Sequence, residues 1–188
     1  LMWFRRDLRA QDNAALYQAL KRCASVHCVF VFDRAILEGL PRADRRVEFI
    51  RESLVAQDAE LHALAGQYGA GLIVRHAVAQ DDIPRLAHEL KVQAVFCNHD
   101  DEPAAQARDA RVRGALADLG IRLETFKDHV IFERDEVLTQ SGTVYGVFTP
   151  YKNAWLKKVA ADSYYLRSYP VGKYVRALVD RKSTRLNS

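Results

Sequence analysis

Five short apolar runs alternate with stretches of helical period, and no other feature of the 188-residue sequence constrains its fold as tightly. The runs cover residues 1–4, 26–32, 71–75, 94–97 and 121–126. They are rich in Val, Leu, Ile, Phe and Cys on consecutive positions, which is the pattern of strands covered on both faces. The intervening segments predict helices over 13–23, 43–68, 81–90 and 102–119. The first follows an Asp12 or Asn13 cap. The second carries Val47, Ile50, Leu54, Leu61, Leu64 and Tyr68 on one stripe, and the last starts at an Asp101 cap with Pro103 in its first turn.

This order predicts an α/β fold: a doubly wound, five-stranded parallel sheet, Rossmann-like, with helices on both faces. After Phe126 the pattern changes. An irregular excursion through the Ser141-Gly142 turn leads to Thr149-Pro150, which reads as the cap and first-turn proline of a helix through Lys158. Residues 160–180 are aromatic, basic and broken by Pro170 and Gly172, as in a connector. The expected division is therefore 1–130 for the α/β domain, 131–159 for an excursion and helix completing it, and 160–180 for the start of a connector. Residues 181–188, RKSTRLNS, continue no pattern and are expected to be a non-native tail.

Net charge is poor support for nucleic-acid binding by the folded body. From Tyr151 onward nine Lys and Arg face two Asp, whereas residues 1–150 hold 19 basic and 22 acidic groups. No apolar run reaches the roughly 20 residues of a bilayer span, so no membrane partner is expected. Cys23, Cys28 and Cys97 form no CxxC, which fits a reducing, cytoplasmic compartment.

In a doubly wound sheet ligands bind beyond the carboxyl ends of the strands, where the winding reverses. The first run ends in Arg5-Arg6-Asp7 and the fourth in Asn98-His99-Asp100-Asp101-Glu102, so both clusters would line one crevice. A charge network in which Arg5 and Arg6 pair with Asp100 and Asp101 explains them equally well. There is no GxGxxG or GxxxxGK[ST] to mark a dinucleotide or P-loop site.

The residues also carry a resemblance. WFRRDLR (Trp3–Arg9), DNAAL (Asp12–Leu16), Phe32-Asp33, Arg46-Val47, Asn98-x-Asp100-x-Glu102-Pro103, Ala107-Arg108-Asp109, Phe126-Lys127-Asp128 and GTVYGVFTPYKNAWLK (Gly142–Lys157) are similar, in order and spacing, to the N-terminal domain of the photolyase/cryptochrome family. The likeness leans toward bacterial-type pyrimidine-dimer repair enzymes. It implies that Leu1 is internal to a longer chain and that this domain holds a light-harvesting antenna chromophore. It also implies that the family's helical domain, absent here, would bind FAD and damaged DNA. The parent would then be a carbon–carbon lyase that splits cyclobutane pyrimidine dimers by light, and this piece alone would be inactive.

The antenna residues the resemblance implies are Arg5, Arg6, Phe32, Arg46, Asp100 and Glu102, with no catalytic residue and no metal. Phe32 would offer a stacking face, the guanidiniums forked donors, and the carboxylates acceptors for ring N–H groups. Folate-binding members often carry an acidic residue three positions before the Arg-Asp pair. Ala105 stands there, preceded by Ala104, which places a deazaflavin or flavin ahead of folate. The other notable residues have structural readings. Arg108 pairs with a neighbouring carboxylate, His62 and His88 are structural, Cys97 is a buried small hydrophobe, and Lys152, Lys157 and Lys158 form a solvated helix face. Tyr145, Phe148 and Trp155 are packing residues, against the absent helical domain. Two alternatives stand beside the repair reading. One is the antenna domain of a cryptochrome photoreceptor. The other is a nucleotide-binding module without light chemistry, which would want a glycine loop after the fourth strand; residues 98–103 contain none.

Overall fold

The computed structural model describes residues 1–179, so the expected tail over 181–188 lies outside the described residues. The elements run β1 (Met2–Phe4), α1 (Ala14–Arg22), β2 (Cys28–Asp33), α2 (Arg34–Leu37), α3 (Arg45–Ala65), β3 (Leu72–Ala77), α4 (Ala79–Glu89), β4 (Ala94–Asn98), α5 (Pro103–Asp118), β5 (Arg122–Phe126) and α6 (Phe148–Ala161). The sheet order is β3-β2-β1-β4-β5 and every pairing is parallel. The chain therefore winds outward from β1 in one direction, then crosses to β4 and winds outward in the other.

Side-chain alternation explains why the strands read as continuous apolar runs. Met2, Phe4, Cys28, Phe30 and Phe96 point to one face and pack with Leu16, Leu20, Leu54 and Leu61 of α1 and α3. Trp3, Val29, Val31, Val95 and Cys97 point to the other and pack with Ile83, Leu86, Val112 and Leu116 of α4 and α5. Both faces are covered, so neither register has a polar side. Burial pushes the Cys28 and Cys97 thiols up to about 12, which leaves both as neutral hydrophobes.

The helix starts show where local signals were overridden. Asn13 caps α1 as expected, its Oδ1 accepting from Leu16 N at 3.0 Å. α5 is not capped by Asp101. Its N-cap is Glu102, with Pro103 at the first helical position and no side-chain cap bond, because the Glu102 carboxylate turns to Arg6. α6 begins at Phe148 with Val147 as its N-cap, so Thr149 and Pro150 lie inside the first turn rather than at its edge. Lys158 is not on a solvated face: its ammonium donates to the Glu136 carbonyl and sits 5.0 Å from the Phe132 ring centroid. Lys152 and Lys157 are exposed, as expected.

The run expected over 26–32 begins as a strand only at Cys28. Val26 instead bridges Leu178, donating to Ala177 O at 2.7 Å and accepting from Val179 N at 3.2 Å. The 3₁₀ segment Val171–Ala177 thus returns to the α1 side of the sheet, where Val171, Ala177 and Leu178 are buried.

The outer strand β3 is tied to α4 by charge. Asp82, 2% exposed, accepts from Arg75 Nε at 3.1 Å and Nη2 at 3.0 Å, and also from Arg85. Burial raises the Asp82 carboxyl, but these donors outweigh it and hold its pKa below the usual carboxylate range. A depressed folded pKa gives stability that is present above the unfolded value of about 3.9 and is lost as pH falls through the folded value. Urea denaturation at about pH 6 and about pH 3 should show a smaller loss on acidification for Asp82→Asn than for the parent chain. An equal loss would remove Asp82 from the acid response.

Several large apolar side chains on and just before α6 face solvent: Val144 is 72% exposed, Val147 66%, Phe148 73% and Leu156 51%. Trp155 is half-buried, edge-on to Phe132 at 5.8 Å. Such a surface predicts concentration-dependent association, seen by sedimentation velocity and suppressed in Phe148→Glu with Leu156→Glu. A parent chain that stays monomeric at high concentration would contradict it.

Candidate functional site

The winding reverses between β1 and β4, and a crevice of about 710 Å³ opens there beyond the carboxyl ends of β1, β2 and β4. Its size is that of a site for a small ligand or cofactor. Apolar walls come from Phe30, Val31, Phe32, Ile36, Leu37 and Ile50 on one side and from Ala104, Ala105 and Ala107 of α5 on the other. Trp3 lies beneath, and Arg6, Asp100, Glu102, Arg108 and Arg111 supply charge. The first residues of α4 (Ala79, Gln80) and of α5 (Ala104, Ala105) line it as well. Neither Val78 nor Glu102 caps its helix with a side chain, but both helix starts already face a carboxylate, with Asp33 accepting from Ala79 N and Asp100 from Glu102 N, each at 3.2 Å.

Of the six residues expected in the site, five line this crevice: Arg5, Arg6, Phe32, Asp100 and Glu102. Arg46 does not. Its side chain is 71% exposed and doubles back on Asp44, the N-cap of α3, with Nη2 2.6 Å from Oδ2. The pairing holds the Asp44 carboxyl at about 2.

The two strand-end arginines differ in kind. The Arg5 side chain is 8% exposed; its Nη1 reaches Asp109 Oδ1 at 2.7 Å and Oδ2 at 2.6 Å, and Nη2 donates to the Asn98 carbonyl. Burial lowers the Arg5 pKa, but the negative groups around it, Asp109 among them, hold it above its ordinary value. Arg6 is 60% exposed and spans the rim to Glu102 at 2.7 Å and Asp100 at 3.5 Å. A charge network is therefore present, but Arg5 pairs with Asp109 rather than with Asp100 or Asp101. The crevice stays open beside it.

Behind Arg5 lies a buried polar knot that fixes the strand ends. Asp7, 3% exposed, accepts from Arg5 N at 2.9 Å, Asn13 Nδ2 at 3.1 Å and Asn98 Nδ2 at 2.7 Å. Asn98 Oδ1 in turn accepts from Ala15 N at 2.8 Å. One network thus joins β1, β4 and the start of α1. Asp33 does the same at the end of β2, where its Oδ1 accepts from Ala35 N and Ala79 N, both at 3.2 Å, and so starts α2 and α4 together.

Sequence reasoning missed Trp3, Asp33, α2 with Ile36 and Leu37, Gln80, Arg108 and Arg111. Trp3 carried a usable signal, since residues two apart on a strand share a face and Trp3 precedes Arg5 by two. Arg108 does pair with a neighbouring carboxylate, Asp109, at 3.1 Å, yet it also lines the crevice. Arg111 donates to Gln80 Oε1 at 3.0 Å, joining α5 to α4. Among the described residues no group of three or more His, Cys, Asp and Glu is placed to hold a metal ion, and no helix is long and apolar enough to cross a membrane.

Comparison with known proteins adds to this geometry. The family model described as DNA photolyase matches residues 1–169. The deoxyribodipyrimidine photo-lyase of Synechococcus sp. is 35% identical over 155 residues, covering 82% of this chain and 31% of the relative. Cryptochrome-2 of Gallus gallus is 29% identical over 140 residues, covering 74% of this chain and 23% of the relative. Among solved structures, an archaeal photolyase from Sulfolobus tokodaii, described with two FAD molecules and as implying a novel light-harvesting cofactor, superposes with a TM-score of 0.67. It has 29% identity and covers 81% of this chain and 33% of that one. The chain spans about a third of the length of that photo-lyase and of that archaeal structure.

Proposed function

The chain belongs to the DNA photolyase family, and from that premise we propose that it forms the light-harvesting domain of a deoxyribodipyrimidine photo-lyase. In the longer protein reduced FAD, held in a helical domain, would split cyclobutane pyrimidine dimers in damaged DNA, with the target bases flipped out to reach it. Residues 160–180 would begin the connector to that domain. The greater identity to the photo-lyase than to the cryptochrome supports repair over photoreception.

The crevice at the reversal point carries this reading. Its chemistry fits a flat, amphipathic heterocycle: apolar side walls with Phe32 among them, and charge confined to the floor and rim. When bound, such a chromophore would supply absorption of light and transfer of the excitation energy. The chain's own residues would bind it, orient it and exclude water. Phe32, edge-on to Phe30 at 5.1 Å, would set the plane of the ring system. Asp100 and Glu102 would accept from ring N–H groups, and Arg6 would lie at the rim for an anionic tail. Arg5 is already committed to Asp109, so its role would be to hold β1 against α5.

The wall formed by Ala104, Ala105 and Ala107 favours a flavin or deazaflavin over a folate, because no carboxylate stands on that wall to accept from a pterin. The test is a side-by-side fluorescence titration with FMN, a deazaflavin and a methenyl-folate. The flavin-type ligands should bind at least about tenfold more tightly, a difference of about 1.4 kcal/mol. Tighter binding of the folate would overturn the preference.

A further inference from the structure

Trp3 is 1% exposed and lines the crevice from below, and two guanidiniums face its ring. The Arg5 carbon lies 4.9 Å from the ring centroid and the Arg108 carbon 5.2 Å. One carboxylate, Asp109, serves both, at 2.6 Å from Arg5 and 3.1 Å from Arg108. Two guanidiniums therefore lie against the indole itself, while the Asp109 carboxylate binds both of them and the Asp7 carboxylate accepts from Arg5 N behind them.

That arrangement matters for a light-absorbing occupant. Photoexcited flavins are strong one-electron oxidants, and an indole is among the most easily oxidised side chains. An excited ring in the crevice could take one electron from Trp3, giving a flavin radical anion and an indole radical cation. Return of that electron would regenerate both partners and release the photon's energy as heat. A cation over the neutral indole face is favourable, whereas the same cation beside an indole radical cation is repelled. We infer that Arg5 and Arg108 act as a guard on Trp3, making the indole harder to oxidise so that an excited antenna in the crevice is not quenched. The inference rests on the proposed flavin-type occupant. Arg108 is the positioning residue that can be tested alone, because Arg5 keeps Asp109 paired when it is removed.

The experiment measures the fluorescence lifetime of the protein-bound fraction of FMN in the parent chain, Arg108→Met, Trp3→Phe and the double variant. Arg108→Met should shorten the lifetime by at least about twofold, and adding Trp3→Phe should restore it. Transient absorption should show the indole and flavin radicals in Arg108→Met alone. Arg108→Gln, which keeps a donor for Asp109 without the charge, should behave the same way and covers a failure of Arg108→Met to fold. A purely structural Arg108 would change stability without an indole-dependent lifetime. Bound FMN with an unchanged lifetime, or one shortened equally in the double variant, overturns the guard and leaves the occupant reading intact. A folded parent chain that binds no FMN removes both.

Discussion

Asp109→Ala is expected to destabilise the fold by about 3–5 kcal/mol, the cost of leaving a buried charge without its partner. The Arg5 and Asp109 side chains are 8% and 16% exposed, and both carboxylate oxygens are engaged. Without Asp109, the Arg5 side chain keeps, among the described residues, the Asn98 carbonyl and the face of Trp3, and Arg108 loses its carboxylate as well. The pair also joins β1 to α5, so its loss should loosen one wall of the crevice. Urea denaturation of Asp109→Ala and of Arg5→Met with Asp109→Leu separates the two contributions. The double replacement, which leaves Arg108 but not the more deeply buried Arg5 without its carboxylate, should recover at least about half of the loss. A single-variant loss below about 1 kcal/mol would mean that the pair behaves like a solvent-exposed bridge.

The second large effect belongs to Asp7. Its carboxylate accepts one backbone and two side-chain donors, and Asp7, Asn13 and Asn98 are all buried. Asp7→Ala takes the carboxylate from Arg5 N and from one N–H of Asn98, while Asn13 Nδ2 keeps the Arg9 carbonyl at 3.3 Å, so at about 1–3 kcal/mol for each lost bond a total of about 3–5 kcal/mol is expected. Asp7→Asn should not rescue it, because one amide end would present N–H groups to N–H groups. Coupling is the distinguishing sign. Asp7→Ala and Asn98→Ala share one network, so their combined effect should fall short of the sum by at least about 1 kcal/mol. Strict additivity would show that the two residues contribute independently.

Much of this architecture is written in the pattern of residues, and the exceptions have physical causes. The strands were legible because a two-faced sheet removes the need for polar positions, so Val29, Phe30 and Val31 can follow one another. The reversal between β1 and β4 is where the commonest doubly wound order puts it, and with it came the convergence of Arg5 and Arg6 with Asp100 and Glu102. α2 was not legible: four residues are too few to show a period, and its start depends on Asp33, which also serves α4 far along the chain. The α5 cap was misplaced because Asp101 is a better local cap than Glu102, but Pro103 fixes the first helical position and Arg6 draws the Glu102 side chain away. Arg46 was expected in the crevice from family likeness alone. Its position at the start of α3 lets it close on Asp44 two residues earlier, a local pairing that spacing could have suggested. Trp3 was read within the strand and the family motif, although its two-residue offset from Arg5 already placed it on the same face.

Whether the crevice holds a flat chromophore is decided by titrating FMN into the folded chain and into Ala104→Trp. Ala104 is exposed yet lines the crevice, so the indole would occupy ligand space without disturbing the core. The expected result is saturable binding with a Kd of about 1 μM in the parent chain, about −8 kcal/mol, weakened at least about tenfold in the variant. Binding of equal strength in both would place FMN elsewhere on the surface. No saturable binding by a folded parent chain would contradict the claim.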